Sequence, residues 1–246
     1  MRSVLSSILT VTFLASLSGA ALAQDTGERG WRYELRAMGA KAGEAILVIG
    51  PQEKVGTTDL RAIRIDAYTE GMAKNFLDAT SVATTWVDLS WLPVRARWDQ
   101  VIDKQKRVVK ASFTGKGVKG TDERDGKLFE SPDWTIGRPP QDVVSVFTWL
   151  ARQEMSPGNK FEIPVFDGRR IYTVNAQVGV AKEIQLPVGF RRAIPIRATV
   201  VRGEYKRNIE LWVSAERDRT PLKMVFKYGL LGEVEALFVG DHKTKT

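Results

Sequence analysis

Ile194-Pro195-Ile196-Arg197-Ala198-Thr199-Val200 carries an aliphatic side chain at every second position from Ile194. A period of two marks a strand with one buried face. The same spacing returns downstream in Ile209-Leu211-Val213, Leu222-Met224-Phe226 and Val234-Ala236-Phe238. Upstream it runs through Trp31-Tyr33-Leu35-Ala37, Ile63-Ile65-Ala67 and Phe161-Ile163-Val165, the last ending in Asp167-Gly168. Asp-Gly between two such runs predicts a tight hairpin with both turn residues at positive φ. Many short strands divided by turn signals predict a mainly β chain, folded as a single curled antiparallel sheet or open barrel.

One or two short helices interrupt the strands. Glu70 to Ala79 places Met72, Phe76 and Ala79 on one face. Residues 142–154 follow Pro139-Pro140 and precede Pro157-Gly158, with an apolar stripe of Val143, Val146, Phe147 and Leu150. Asp142 is placed to cap this second helix by accepting the backbone N–H of Ser145.

The chain has 246 residues, 43% hydrophobic and 27% charged, which suits one globular domain with a sizeable core. Cysteine is absent and the single histidine is His242. Disulfides, thiolate nucleophiles, Cys/His zinc cages and a Ser-His-Asp triad are excluded on those counts. No glycine-rich phosphate loop or dinucleotide fingerprint occurs, and the reading assigns no cofactor, metal ligand or catalytic residue. Asp122, Glu123 and Asp125 lack the alternating acidic positions of a calcium loop and read as a solvated turn.

The first 23 residues combine Arg2, an apolar stretch and Ala21-Leu22-Ala23, the pattern of a secretory signal peptide cleaved after Ala23. Residues 24–246 are then expected as one β-rich domain in the periplasm. Charges interrupt every later apolar run, so no transmembrane segment is expected in that domain.

Net charge is +8, and residues 191–227 hold ten Lys/Arg against four acids. Arg197, Lys206, Lys223 and Lys227 on adjacent strands predict a surface for an anionic envelope component; an exported protein has no nucleic-acid partner. Among seven tryptophans, Trp212 falls on the polar side of its strand beside Asn208 and Glu210. Trp149 and Phe147 lie on the second helix. These three are the candidate ligand-binding side chains, at an apolar pocket expected between that helix and the sheet. Core filling is the competing reading for all the tryptophans.

The helix segment Pro140-Gln141-Asp142-Val143-Val144-Ser145-Val146-Phe147-Thr148-Trp149-Leu150 resembles that of the domain-of-unknown-function 3108 family of exported bacterial proteins. Tyr33-Glu34-Leu35 with Lys41-Ala42-Gly43-Glu44-Ala45 is similar to the family's opening hairpin. Val165 to Tyr172, Trp212 to Glu216, Thr220-Pro221-Leu222 and Gly232-Glu233-Val234 follow in the family's order. The resemblance implies a β-rich periplasmic domain without an assigned activity, similar in outline to lipoprotein-carrier sheets. Gly43 and Gly232 are expected at chain reversals.

These features together predict a non-enzymatic protein of cell-envelope maintenance that binds an amphiphile or another envelope component. Two alternatives stand beside it: a carboxylate-dependent hydrolase of envelope glycan, and a protein-interaction scaffold using an exposed sheet edge.

Overall fold

The computed structural model describes residues 27–227 and 232–243. The signal peptide predicted over residues 1–23 lies outside them. Up-and-down hairpins form β1 (Arg29–Ala37), β2 (Ala40–Val55), β3 (Thr58–Thr69), β4 (Ala79–Val87), β5 (Pro93–Ile102), β6 (Gln105–Thr114) and β7 (Gly117–Arg124). Two short strands, β8 (Lys127–Glu130) and β9 (Trp134–Thr135), both pair with β7. Next come β10 (Gln141–Asp142) and the helix α1 (Ser145–Ala151). The chain finishes with β11 (Lys160–Phe166), β12 (Ile171–Val178), β13 (Lys182–Leu186), β14 (Gly189–Arg202), β15 (Tyr205–Ser214), β16 (Pro221–Lys227) and β17 (Glu233–Asp241).

β1 joins the two halves by pairing with β2 on one side and β17 on the other. One ladder therefore runs from β10 and β11 through β17 and β1 to β8, and it does not close. Instead the β10–β11 end is tucked against the inner face of β4–β7. Phe166 of β11 meets Phe113 of β6 edge to face at 6.1 Å, and both belong to one core cluster with Trp98 and Val109. The mainly β, curled and open sheet expected from the period-two pattern is what the chain adopts.

Alternation decides the two faces. Ile196, Leu211, Met224 and Ala236 share one cross-strand row pointing inward. The helix lays Val146, Leu150 and Ala151 directly onto the inward residues Ile163, Val174, Ile196 and Leu211. The apolar pocket expected between helix and sheet is thus occupied by interdigitated side chains.

Local corrections follow from hydrogen bonding. The helix begins three residues later than expected because Asp142 is held in β10, paired with Phe166 of β11. The intervening turn leaves Val143 exposed and buries Val144 instead. The helix ends at Ala151 because the N–H groups of Arg152 and Gln153 turn back to Trp149 and Leu150 carbonyls three residues away. The first predicted helix is only a 3₁₀ turn, Gly71–Asn75, with Ala73 rather than Met72 or Phe76 turned toward the core. Of the Asp167-Gly168 pair only Gly168 has positive φ; the Asp167 carboxylate instead accepts the N–H groups of Arg169 and Arg170. Gly232 does have positive φ, at 64°. Gly43 is needed for another reason: a Cβ there would stand 2.0 Å from the Tyr68 carbonyl oxygen across the β2–β3 pair.

Candidate functional site

Two outward rows of side chains cross the strands β11, β12, β14, β15 and β16. Lys160, Gln177, Arg197, Glu210 and Val225 are successive register partners in the first. Glu162, Asn175, Thr199 and Asn208 form the second, which continues through the paired Lys227 and Glu233. Between the rows run the register partners Phe161, Ala176, Ala198, Ile209 and Phe226, which alternation assigns to the inward set and which form the groove floor. These residues line a groove of about 830 Å³.

The two rows flanking the groove are mostly polar and balanced in charge. Lys160, Arg197 and Lys227 face Glu162, Glu210 and Glu233. Arg197 lies 3.6 Å from Glu210, and Arg138 binds Glu162 from outside at 2.6 Å. The Thr199 hydroxyl donates to Asn208 Oδ1 at 3.1 Å. Asn175 and Gln177 are exposed and present amide groups that both donate and accept. Such a surface can recognise hydroxyls and amides by hydrogen bonding, with no excess charge of either sign.

The two carboxylates with the most unusual surroundings lie inside the fold, away from the groove. Burial raises the Asp142 carboxyl above its ordinary range, against the hydrogen bonds it accepts from Ser145, Thr85 and Val144. For Asp122, burial also opposes ionisation, but the Arg107 and Arg124 guanidiniums outweigh it and hold the carboxyl below the ordinary range. Asp122 is fully buried in β7, at 2.9 Å from each arginine, and is no solvated turn residue. Arg107 also donates to the Asp167 carbonyl, which pins the β11–β12 turn inside the curl. Both carboxylates are architectural in position.

The sequence-predicted residues are dispersed. Phe147 and Trp149 are half-buried on the inner side, where Trp149 meets Phe161 edge to face at 6.2 Å beneath the groove floor. Trp212 points outward as predicted, yet it is buried among Leu186, Ala193, Leu222 and Leu237. Leu186 closes β13, and Lys182 at its start sits 4.7 Å from the indole ring, so this strand's segment covers the tryptophan. Arg197 and Lys227 line the groove, Lys206 is exposed at the start of β15, and Lys223 forms an ion pair with Glu235. The basic surface is therefore interleaved with acids over β15–β17. Asn175 and Gln177 carry no signal as a pair in the sequence; they become neighbours of Thr199 and Arg197 only through β12–β14 pairing.

Residues 32–239 match the family described as Protein of unknown function (DUF3108). The chain belongs to the DUF3108 family. The match opens in β1 and closes in β17, the strands whose pairing joins the two halves of the ladder. DUF3108 motif positions also meet in space: the Tyr33 hydroxyl of the opening hairpin donates to the Pro221 carbonyl at 2.9 Å. No curated protein matches the chain in sequence. Among solved structures, it is similar to a beta-barrel-like protein of the domain of unknown function DUF1849 from Brucella abortus. That likeness has a TM-score of 0.63 at 11% identity, covering 89% of this chain and 98% of the other. A Bacteroides fragilis protein with a YmcC-like fold aligns at a TM-score of 0.34 and 8% identity, over 88% of this chain and 96% of that one. The first likeness supports the barrel-like fold of this DUF3108 chain and nothing about ligand.

Proposed function

We propose that this DUF3108 chain is an exported, non-catalytic binding protein of the cell envelope. Its outer groove over β11–β16 holds a polar envelope component, and a glycan segment suits the lining best. The observation that carries this reading is the groove itself, with its amide and hydroxyl row and its balance of three cations and three acids. Hydroxyl-rich chains exchange hydrogen bonds with such groups in both directions, whereas a strongly anionic ligand would meet Glu162, Glu210 and Glu233. Export rests on the signal-like pattern of residues 1–23.

Native mass spectrometry of protein freshly recovered from the periplasm tests this reading. A sugar-type mass adduct is expected on the wild-type chain, and its loss is expected in Thr199→Trp, which fills the groove. An acyl-type adduct, or a bare wild-type mass with no affinity for envelope glycan fragments, overturns it.

A further inference from the structure

We infer that one end of the curled sheet is a docking surface for an anionic lipid bilayer. Strand direction brings the β1–β2, β3–β4 and β14–β15 connections, the last residue of β16 and the first of β17 to the same end. Met38, Met72 and Phe76 stand there at 85%, 79% and 76% exposure, higher than any other large apolar side chain among the described residues. Met38 occupies the β1–β2 turn at φ 53°, a left-handed conformation that L residues adopt at a cost. Met72 lies in the 3₁₀ turn and Phe76 follows its last residue, and Ala73 anchors the turn to Ala37, Ala42 and Val234. The turn is thus fixed to the core while its methionine and phenylalanine point away from it. Exposed apolar tips on anchored turns are suited to the headgroup–acyl boundary of a bilayer.

The neighbouring strand ends supply the charge complementarity that selects the occupant. Arg202, Lys206, Arg207 and Lys227 gather around the β14–β15 hairpin and the end of β16. Arg207 donates to the Lys227 carbonyl at 3.3 Å, and Tyr205 packs on Tyr172 at 5.8 Å. Register carries this group to the apolar one: Lys227 pairs with Glu233, and Val234 pairs with Ala37 beside Met38. At about 4.8 Å per strand, β15 and β1 lie roughly 14 Å apart, so a single bilayer surface spans both. Glu204 and Glu233 are the acids among these four cations. Nearer the methionines, Lys41 binds Glu44 and Glu70, and Lys74 faces Asp78. The cationic excess therefore sits beside an apolar group that is close to neutral, and a polybasic surface with inserted apolar side chains selects anionic lipid.

This end of the sheet shares Lys227 and Glu233 with the rim of the outer groove, but none of the residues substituted in the test lines the groove. The full exported chain is sedimented with vesicles of phosphatidylethanolamine and phosphatidylglycerol, and separately with neutral phosphatidylcholine vesicles. Binding is expected only to the anionic vesicles, falling as salt rises. Met38→Ser/Met72→Ser/Phe76→Ser and Arg202→Glu/Lys206→Glu are each expected to weaken it about tenfold or more. Val180→Ser, on an exposed residue at the other end, serves as control and should bind as wild type. Thermal unfolding and circular dichroism verify that each variant folds. Equal binding to neutral vesicles, no change in either variant, or no vesicle binding by a folded wild-type chain overturns the inference. Self-association through Met38 and Phe76 in place of vesicle binding overturns it as well.

Discussion

The Thr85 hydroxyl donates a hydrogen bond to the Asp142 carboxylate across 57 residues of chain, and both residues are completely buried. Thr85 is an inward residue of β4, and Asp142 stands at the head of the helix. The same carboxylate accepts the N–H groups of Val144 at 3.0 Å and Ser145 at 2.6 Å, while Ser145 Oγ accepts the Asp142 N–H. The cap predicted for the helix is therefore also the bond that fastens the helix inside the curl.

Asp142→Ala is expected to cost about 3 kcal/mol, since it leaves several buried donors without an acceptor, each worth roughly 1–3 kcal/mol. Asp142→Asn keeps an acceptor for the two N–H groups and should cost about 1 kcal/mol. Urea titration of the three proteins gives the ordering. The raised carboxyl also has a pH signature. Above the ordinary carboxylate value the unfolded chain has released this proton while the native one retains it. Stability from this group therefore falls as pH rises toward the folded value. That slope should be absent in Asp142→Asn.

Asp122 gives the opposite dependence. Its carboxyl is lowered in the native state, so its contribution is complete above the ordinary carboxylate value and is lost as pH falls through the lower folded value. Asp122→Asn should flatten this acid limb. Asp122→Ala should cost about 2–3 kcal/mol at neutral pH, at the low end for a broken buried pair because Arg107 and Arg124 reach solvent. Acid-induced unfolding followed by tryptophan fluorescence separates the three.

These two aspartates show what the sequence reveals. Asp142 was legible because capping is local: a short polar residue three positions before the next free N–H needs no tertiary knowledge. Asp122 was not, because Val118, Gly120 and Asp122 form an inward row with one apolar side chain among three residues. The strand signal over Gly117–Arg124 vanishes there, and charge alone suggests a turn. The sheet itself was legible, since its inward rows over β14–β17 are almost uniformly apolar. The groove was not, because its lining comes from six strands that only the sheet pairing brings together.

Trp212 discriminates core from ligand platform. Its ring is enclosed by Leu186, Ala193, Leu222 and Leu237, so Trp212→Ala should cost about 3–5 kcal/mol. Lys182→Ala removes only the cation beside the ring and should change stability by less than about 1 kcal/mol. Calorimetric melting of both variants checks this. A Trp212→Ala protein as stable as wild type would mean that β13 does not cover the ring.

The tucked end of the sheet makes the sharpest structural claim. Gly120 pairs with Ala111 on the inner face of β6–β7, directly under the Phe166 ring. A Cβ on Gly120 would stand 2.9 Å from both the ring and the Lys110 carbonyl oxygen. Gly120→Ala should therefore destabilise the fold by about 1–3 kcal/mol, the usual range for overpacking. Phe166→Leu alone should also destabilise, because it leaves a gap beside Phe113. Combined, the two should cost less than their sum, since the smaller side chain makes room for the new methyl group. Relief is expected to be partial, as the carbonyl contact belongs to the β6–β7 ladder and cannot move aside. Guanidinium unfolding of the two single variants and the double variant measures the coupling. Strict additivity would mean that Phe166 does not lie on Gly120, and that the β10–β11 end of the sheet is not enclosed by β4–β7.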